Sequence, residues 1–260
     1  MMKFRVGATG WLVFGLSLAA ASDFAAAATP CPPPQLSVDG GSSVATDCPS
    51  DTAGYSTNFP ATENPVAEGG RWINGKSVGL DWNNPESASG KIYATVQSGL
   101  SGSRYDDSIA HLSKSQHPFA PNQFAEATVY AVDGYSANHE VELLLRFSIS
   151  AHDAHGYEVL WGLRGYIAVV RWNGPRGKYT ALYDPGTGSI PPPRNGDVLR
   201  AEISGNTLTV KRNGSTVVTV DVGVKGGTIW QEGQPGIGFW PVDGATPHNL
   251  GWKSFRAGNL

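Results

Sequence analysis

Hydrophobic and polar residues alternate by two along much of this chain. From His139 to Ile149, Val141, Leu143, Leu145, Phe147 and Ile149 fall on one side of an extended strand. Glu140, Glu142, Leu144, Arg146 and Ser148 fall on the other. That period predicts a strand with one packed face and one mostly polar face. Further strands are expected at Lys91–Gln97, Gln123–Val132, Gly156–Trp161, Tyr166–Trp172, Lys178–Tyr183, Gly236–Pro241 and Gly251–Arg256. From Arg71 onward these signals recur at a spacing of about 8–12 residues, the mark of a sandwich or barrel. No stretch sustains the helical period.

Two turns register the segment from Asp197 to Val222. Gly205-Asn206 and Asn213-Gly214 are two-residue hairpin loops. Counting outward from the first, Ile203 faces Leu208 and Ala201 faces Val210. From the second, Val210 faces Val217 and Leu208 faces Thr219. The result is a three-strand meander with Leu199, Ala201, Ile203, Leu208, Val210 and Val217 on one face.

Composition supports the same class. The chain has 260 residues with 33 Gly, 18 Pro and 8 Trp, and only 16% are charged. This excludes a coiled coil and a disordered polyelectrolyte. A net charge of −3 without a Lys/Arg block argues against a nucleic-acid partner.

The first residues read as a targeting segment. Lys3 and Arg5 precede an uncharged run from Val6 to Ala21, and Ala25–Ala28 offer small residues for cleavage. Residues 1–28 are expected to be a signal peptide, so the protein is expected to be secreted (extracellular or periplasmic), with no membrane insertion after cleavage. Residues 29–68 read as a Pro/Ser-rich strap, with Cys31 and Cys48 expected to pair in an oxidising compartment. Closing so short a loop is worth about 3 kcal/mol on chain entropy. Residues 69–260 are expected to form one β domain.

The run Gly196-Asp197-Val198-Leu199-Arg200-Ala201-Glu202-Ile203, then Leu208-Thr209-Val210-Lys211-Arg212-Asn213-Gly214, then Gln234-Pro235-Gly236-Ile237-Gly238-Phe239 and a closing strand to Phe255-Arg256-Ala257, resembles the concanavalin A-like lectin/glucanase superfamily, in particular its laminin-G-like jelly rolls. The resemblance implies an all-β fold, a two-sheet antiparallel jelly-roll sandwich. Two enzyme signatures of that superfamily are not matched. The run Glu140–Arg146 lacks the Asp and last Glu of the ExDxxE strand, and only Glu142 and Arg146 fit the first of three lyase strands.

Several residues are candidates for chemistry. A hairpin centred near Asp153 would put Glu158 opposite Ser148 and Leu160 opposite Arg146, so that Glu158 shares a face with Arg146 and Glu142. Two carboxyls about 5–9.5 Å apart suit glycosidic cleavage. Alternatively Arg146 neutralises a uronate while Tyr157 or a histidine moves protons, as in a lyase. The bland reading is a cross-strand ion pair on a wet face. His152 and His155 lie in the loop, available to sugar hydroxyls, and too few ligands converge there for a metal. Trp172, beside Arg171 at a strand end, and Trp240 suit a groove wall on which sugar rings stack. Trp72 and Trp252 read as core. No cofactor is called for, and Asp106-Asp107 leaves a structural calcium ion open.

The reading is a secreted carbohydrate-recognition protein that binds a polysaccharide or glycan on the concave face of one sheet. The alternative is a glycoside hydrolase or polysaccharide lyase acting on that face through Glu142, Arg146, Tyr157 and Glu158. A third is a structural envelope or adhesion domain.

Overall fold

The computed structural model describes residues 53–95, 107–242 and 245–260. The expected signal peptide, Cys31, Cys48 and Asp106 lie outside the described residues. The strands in chain order are β1 (Ala53–Thr57), β2 (Trp72–Asn74), β3 (Pro85–Ser87), β4 (Ile92–Ala94), β5 (Ser108–Leu112), β6 (Gln123–Ala131), β7 (Asn138–Ser150), β8 (Asp153–Gly162), β9 (Tyr166–Gly174), β10 (Tyr179–Tyr183), β11 (Val198–Ser204), β12 (Thr207–Arg212), β13 (Ser215–Asp221), β14 (Gln234–Val242) and β15 (Leu250–Asn259). One sheet runs β13-β12-β11-β6-β15-β4-β3, with β1 also on β15. The other runs β10-β9-β8-β7-β14-β5-β2. Neighbours in both sheets are antiparallel, giving a two-sheet jelly roll.

The main core lies between the sheets. Val141, Leu143 and Leu145 of β7, with Tyr157, Val159 and Trp161 of β8, meet Ala125, Ala127 and Val129 of β6, Leu199, Ala201 and Ile203 of β11, and Phe255 of β15. Trp72 and Trp252 are buried in it, as expected. Of the residues read as strap, 53–68 are described: β1 pairs with β15, and Phe59 and Val66 enter the core.

The first hairpin of the meander has the expected register, with Ala201 opposite Val210 and Ile203 opposite Leu208. The second does not. A bulge between Val210 and Lys211 shifts β13 by one, so Val218 faces Val210 and Val220 faces Leu208. Val218 and Val220 are buried, while Val217 is 39% exposed. An extra residue on one strand exchanges inside and outside beyond it.

A second bulge changes β7. Ser150 pairs with Asp153 across Ala151-His152, rather than turning at Asp153, and Leu145 pairs with Tyr157 while Ser148 pairs with His155. Arg146 and Phe147 stand together opposite Gly156. Arg146 takes a left-handed φ of 46° and Gly156 a φ of 137°. A side chain at Gly156 would meet the Arg146 carbonyl and Phe147. Beyond this point Phe147 and Ile149 cross to the outer face of the sheet and join Leu144, not Val141.

Candidate functional site

The outer face of the seven-stranded sheet is divided in two. Over one half lies the segment 75–84, whose Trp82 is buried against Ile109, Leu144, Phe147, Ile149, Ala154, Val170 and Trp172 in a second, smaller core. Gly75 and Gly79 permit this close approach, since a Cβ at either would press on Trp82. His152 Nδ1 pairs with Asp81 Oδ2 at 3.0 Å, and Arg176 Nη1 donates to the Asp81 carbonyl at 2.7 Å, pinning the segment down.

The other half is a cleft of about 380 Å³. Glu140 and Asn138 of β7, Glu158 and Leu160 of β8, Tyr166, Ala168, Val170 and Trp172 of β9, Tyr179 of β10 and Trp240 of β14 line it, together with Asp107, Arg164 and Asp184. The residues of β9 at 166, 168, 170 and 172 share one face by strand alternation.

Three glutamates are brought together on this face. Glu140 is opposite Gly162, Glu142 opposite Leu160, and Leu144 opposite Glu158. Glu142 and Glu158 are therefore a diagonal cross-strand pair, spaced by about 7–8 Å at the backbone. All three are nearly or fully buried. The Tyr166 hydroxyl donates to Glu140 Oε1. It reaches across Gly162, where a Cβ would overlap the tyrosine ring. Trp172 Nε1 donates to Glu158 Oε2 at 2.6 Å. Both carboxylate oxygens of Glu142 are buried and lack a hydrogen-bond partner.

This setting disfavours charge on each acid. Burial pushes the Glu158 carboxyl up to about 7 against the opposing pull of the Trp172 bond. Burial pushes Glu140 up to about 8. The Tyr166 bond offsets part of that, and the neighbouring Glu158 and Asp184 add to it. Glu142 rises well above the usual carboxylate range through burial, then through Glu158, Asp107 and Glu140. Like charges in a dry site cannot all ionise together. Among the described residues, no group of three or more His, Cys, Asp or Glu is placed to hold a metal ion.

No family model matches the chain, and no curated protein does. Among solved structures, the chain is similar to the exoplasmic/lumenal domain of VIP36 in its Ca2+/Man-bound form, with a TM-score of 0.50, 12% identity, and coverage of 81% of this chain and 91% of that one. Two other similar structures are the carbohydrate binding module CBM66 from Bacillus subtilis (TM-score 0.47, 13% identity, 73% of this chain and 92% of that one) and the apo Crh5 transglycosylase (TM-score 0.44, 15% identity, 79% and 84%). What the chain shares with VIP36 is the fold, a two-sheet antiparallel jelly roll.

Within this sandwich the expected site residues separate into two sets. Glu142, Glu158, Trp172 and Trp240 share the outer face, although Glu158 stands opposite Leu144 rather than Ser148. Trp172 is only 3% exposed, so its indole orients Glu158 more than it offers a stacking surface. Glu140, Tyr166, Tyr179 and Asp184 join them. The Glu140-x-Glu142 alternation and the common parity of Tyr166 and Trp172 carry a signal for two of these. Nothing local marks Asp184 or Tyr179.

The other set lies elsewhere in the jelly roll. Arg146 does not share a face with Glu142 and Glu158. The bulge turns its side chain toward backbone carbonyls, with Nε donating to Pro121 at 2.7 Å, Nη1 to Trp230 at 3.0 Å and Nη2 to Gly205 at 2.9 Å. Its cation is met by peptide dipoles of both sheets' loops, not by a carboxylate. Tyr157 points into the main core, where its hydroxyl accepts from Trp230 N at 3.0 Å. Arg171, next to Trp172, faces the opposite way by alternation, with Nε on Asn173 Oδ1 at 3.0 Å. His155 stacks on Trp230 at 4.3 Å and pairs with Asp153, and His152 holds Asp81. None of these five lines the cleft.

Proposed function

We propose that this is an exported glycan-binding protein whose ligand occupies the cleft on the outer face of the seven-stranded sheet. One observation carries the reading: the cleft sets the rings of Trp240 and Tyr179 beside hydrogen-bonding groups of Asn138, Glu140, Glu158 and Arg164. A pyranose ring presents apolar CH faces and a rim of hydroxyls. Aromatic faces take the first, and carboxyl, amide and guanidinium groups take the second. The fold shared with VIP36, described in a Man-bound form, supports the reading, and the charged n-region and apolar run before Ala28 support export.

A second reading, cleavage of the glycan, is favoured by the raised carboxyls. A carboxyl that keeps its proton near neutrality is a general acid, and a nearby carboxyl that loses its proton more readily is a base. Glu140 and Glu158 both line the cleft, and burial raises both carboxyls toward the neutral range, where one can hold a proton while the other releases it.

The experiment is a panel of neutral, basic and uronic polysaccharides assayed for retention and for chain shortening. Tyr179 is 42% exposed, so Tyr179→Ala should leave the fold unchanged. Retention lost in Tyr179→Ala and Trp240→Ala, without shortening, establishes binding. Shortening abolished by Glu158→Gln with retention preserved establishes cleavage. A cleft that retains none of the panel sinks both.

A further inference from the structure

We infer that the floor of the cleft seats the methyl group of an acetamido sugar, an inference that rests on the glycan-binding reading above and names the class of sugar. The register lays out that floor. Leu160 of β8 is opposite Ala168 of β9, and Val170 of β9 is opposite Ala181 of β10. All four line the cleft. Residues 168 and 170 are successive on one face of β9, so the four side chains form one apolar patch across three neighbouring strands. The backbone of β8 and β9 is spent on the ladders to either side, so the patch on those strands offers a ligand no hydrogen bond.

The relief of the patch is a second observation. Ala168 stands between the larger Tyr166 and Val170 along β9 and faces Leu160 across the ladder, and it is only 4% exposed. The small side chain leaves a recess walled by three larger ones. Polar groups stand around this recess rather than in it, and two of them are held by others: the Tyr166 hydroxyl donates to Glu140, and Trp172 Nε1 to Glu158 Oε2. A hydroxyl pressed into the recess would lose its water without gaining a partner, and an ammonium or carboxylate would lose more. A methyl group fills it at no such cost.

The border of the patch chooses among methyl-bearing sugars. Glu158 is the cross-strand partner of Val170 and lines the cleft, its Oε1 beside the Oε2 that takes the Trp172 proton. Arg164 lines the same cleft with its guanidinium donors. A methyl that reaches the recess is therefore best carried with a donor and an acceptor close behind it. An acetamido arm is built this way. Its methyl is the tip of a planar group that projects from the ring, with an N–H to donate to the Glu158 carboxyl and a carbonyl to accept from a donor such as Arg164. The methyl of a 6-deoxy sugar sits on the ring itself, so the whole ring would have to descend between Tyr166 and Val170 to place it.

The test is calorimetric titration of the chain with four matched β-linked tetramers: N-acetylglucosamine, glucose, glucosamine with free amines, and 6-deoxyglucose. The N-acetylated tetramer should bind about tenfold or more tightly than each of the others, the usual worth of a methyl-sized fit in an apolar pocket. Its heat-capacity change should be the most negative of the four, the mark of apolar burial. Ala168→Ser sets a hydroxyl in the recess and Ala168→Leu fills it. Each should cut the preference to about threefold or less, with thermal unfolding reporting that the variant is folded. Ala168→Ser adds a single oxygen and so keeps a measurable variant should Ala168→Leu fail to fold. Equal or tighter binding of the glucose or free-amine tetramer overturns the inference while leaving the glycan-binding reading standing. Tighter binding of the 6-deoxyglucose tetramer overturns the acetamido arm as the carrier of the methyl. A preference unchanged in a folded Ala168 variant overturns the recess as its seat. Silence toward all four probes overturns the inference as well, and joined with silence toward the polysaccharide panel it removes the glycan reading itself.

Discussion

The carboxyl of Glu142 lies directly over Gly238. The two residues are cross-strand partners on β7 and β14, and a Cβ on Gly238 would overlap Glu142 Oε2. The glycine thus leaves the room in which the fully buried Glu142 carboxyl sits. Gly238→Ala should lower stability by about 1–3 kcal/mol, the usual cost of overpacking, and Tm by several degrees. Pairing it with Glu142→Ala should recover part of the loss. Strict additivity of the two changes in thermal unfolding would show that they do not share this space.

The raised acids make stability depend on pH. A carboxyl whose folded pKa lies above its unfolded one holds a proton that the unfolded chain has released, so its contribution is lost as pH rises through the folded value. The loss therefore begins above the ordinary carboxylate range and runs up to about 7 for Glu158 and about 8 for Glu140, levelling off beyond those values. His111 and His139, lowered by burial to about 4 and about 3, act in the opposite sense, but only below the ordinary histidine range. Between about pH 6.5 and about pH 8.5 stability, read as Tm, should therefore fall. Glu142→Gln should flatten the decline. A Tm constant or rising over that window contradicts the assignment.

Arg146 should behave as a staple. Arg146→Met removes the donors of three carbonyls from different loops, at an expected cost of about 3 kcal/mol or more. At a temperature where the variant remains folded, glycan retention should match the parent chain. Loss of retention in a fully folded variant would return Arg146 to the ligand site.

The β13 bulge makes a sharp contrast between neighbours. Val218→Asp places a charge in the main core and should unfold the domain, whereas Val217→Asp, on the exposed side, should change Tm little. Circular dichroism of the two variants decides it, and the reverse order would restore the unbulged register.

Much of the sandwich was legible in residue order because its signals are local. Alternation by two located β6, β7, β9 and β14 within a few residues, and Gly205-Asn206 sufficed to pair Ala201 with Val210. A two-residue turn and one apolar face specify a register without help from distant chain. Beyond Arg146 that logic fails for a definite reason. Phe147 and Ile149 continue the apolar series of Val141, Leu143 and Leu145, but Trp82, from a segment far away in sequence, covers the outer face there. Phe147 and Ile149 still alternate with Ser148 and Ser150, so the pattern runs on unbroken while the bulge exchanges the faces, and the bulge leaves no mark in it. The same holds for the cleft. Glu140 and Glu142 share a face by their spacing alone, whereas bringing Glu158 beside them depends on where the β7–β8 ladder slips. Tyr166 reaches Glu140 through room left at Gly162, and Asp184 arrives by a loop. Those are contacts between separate strands, created when sheets twist and segments pack, and residue order carries no term for them.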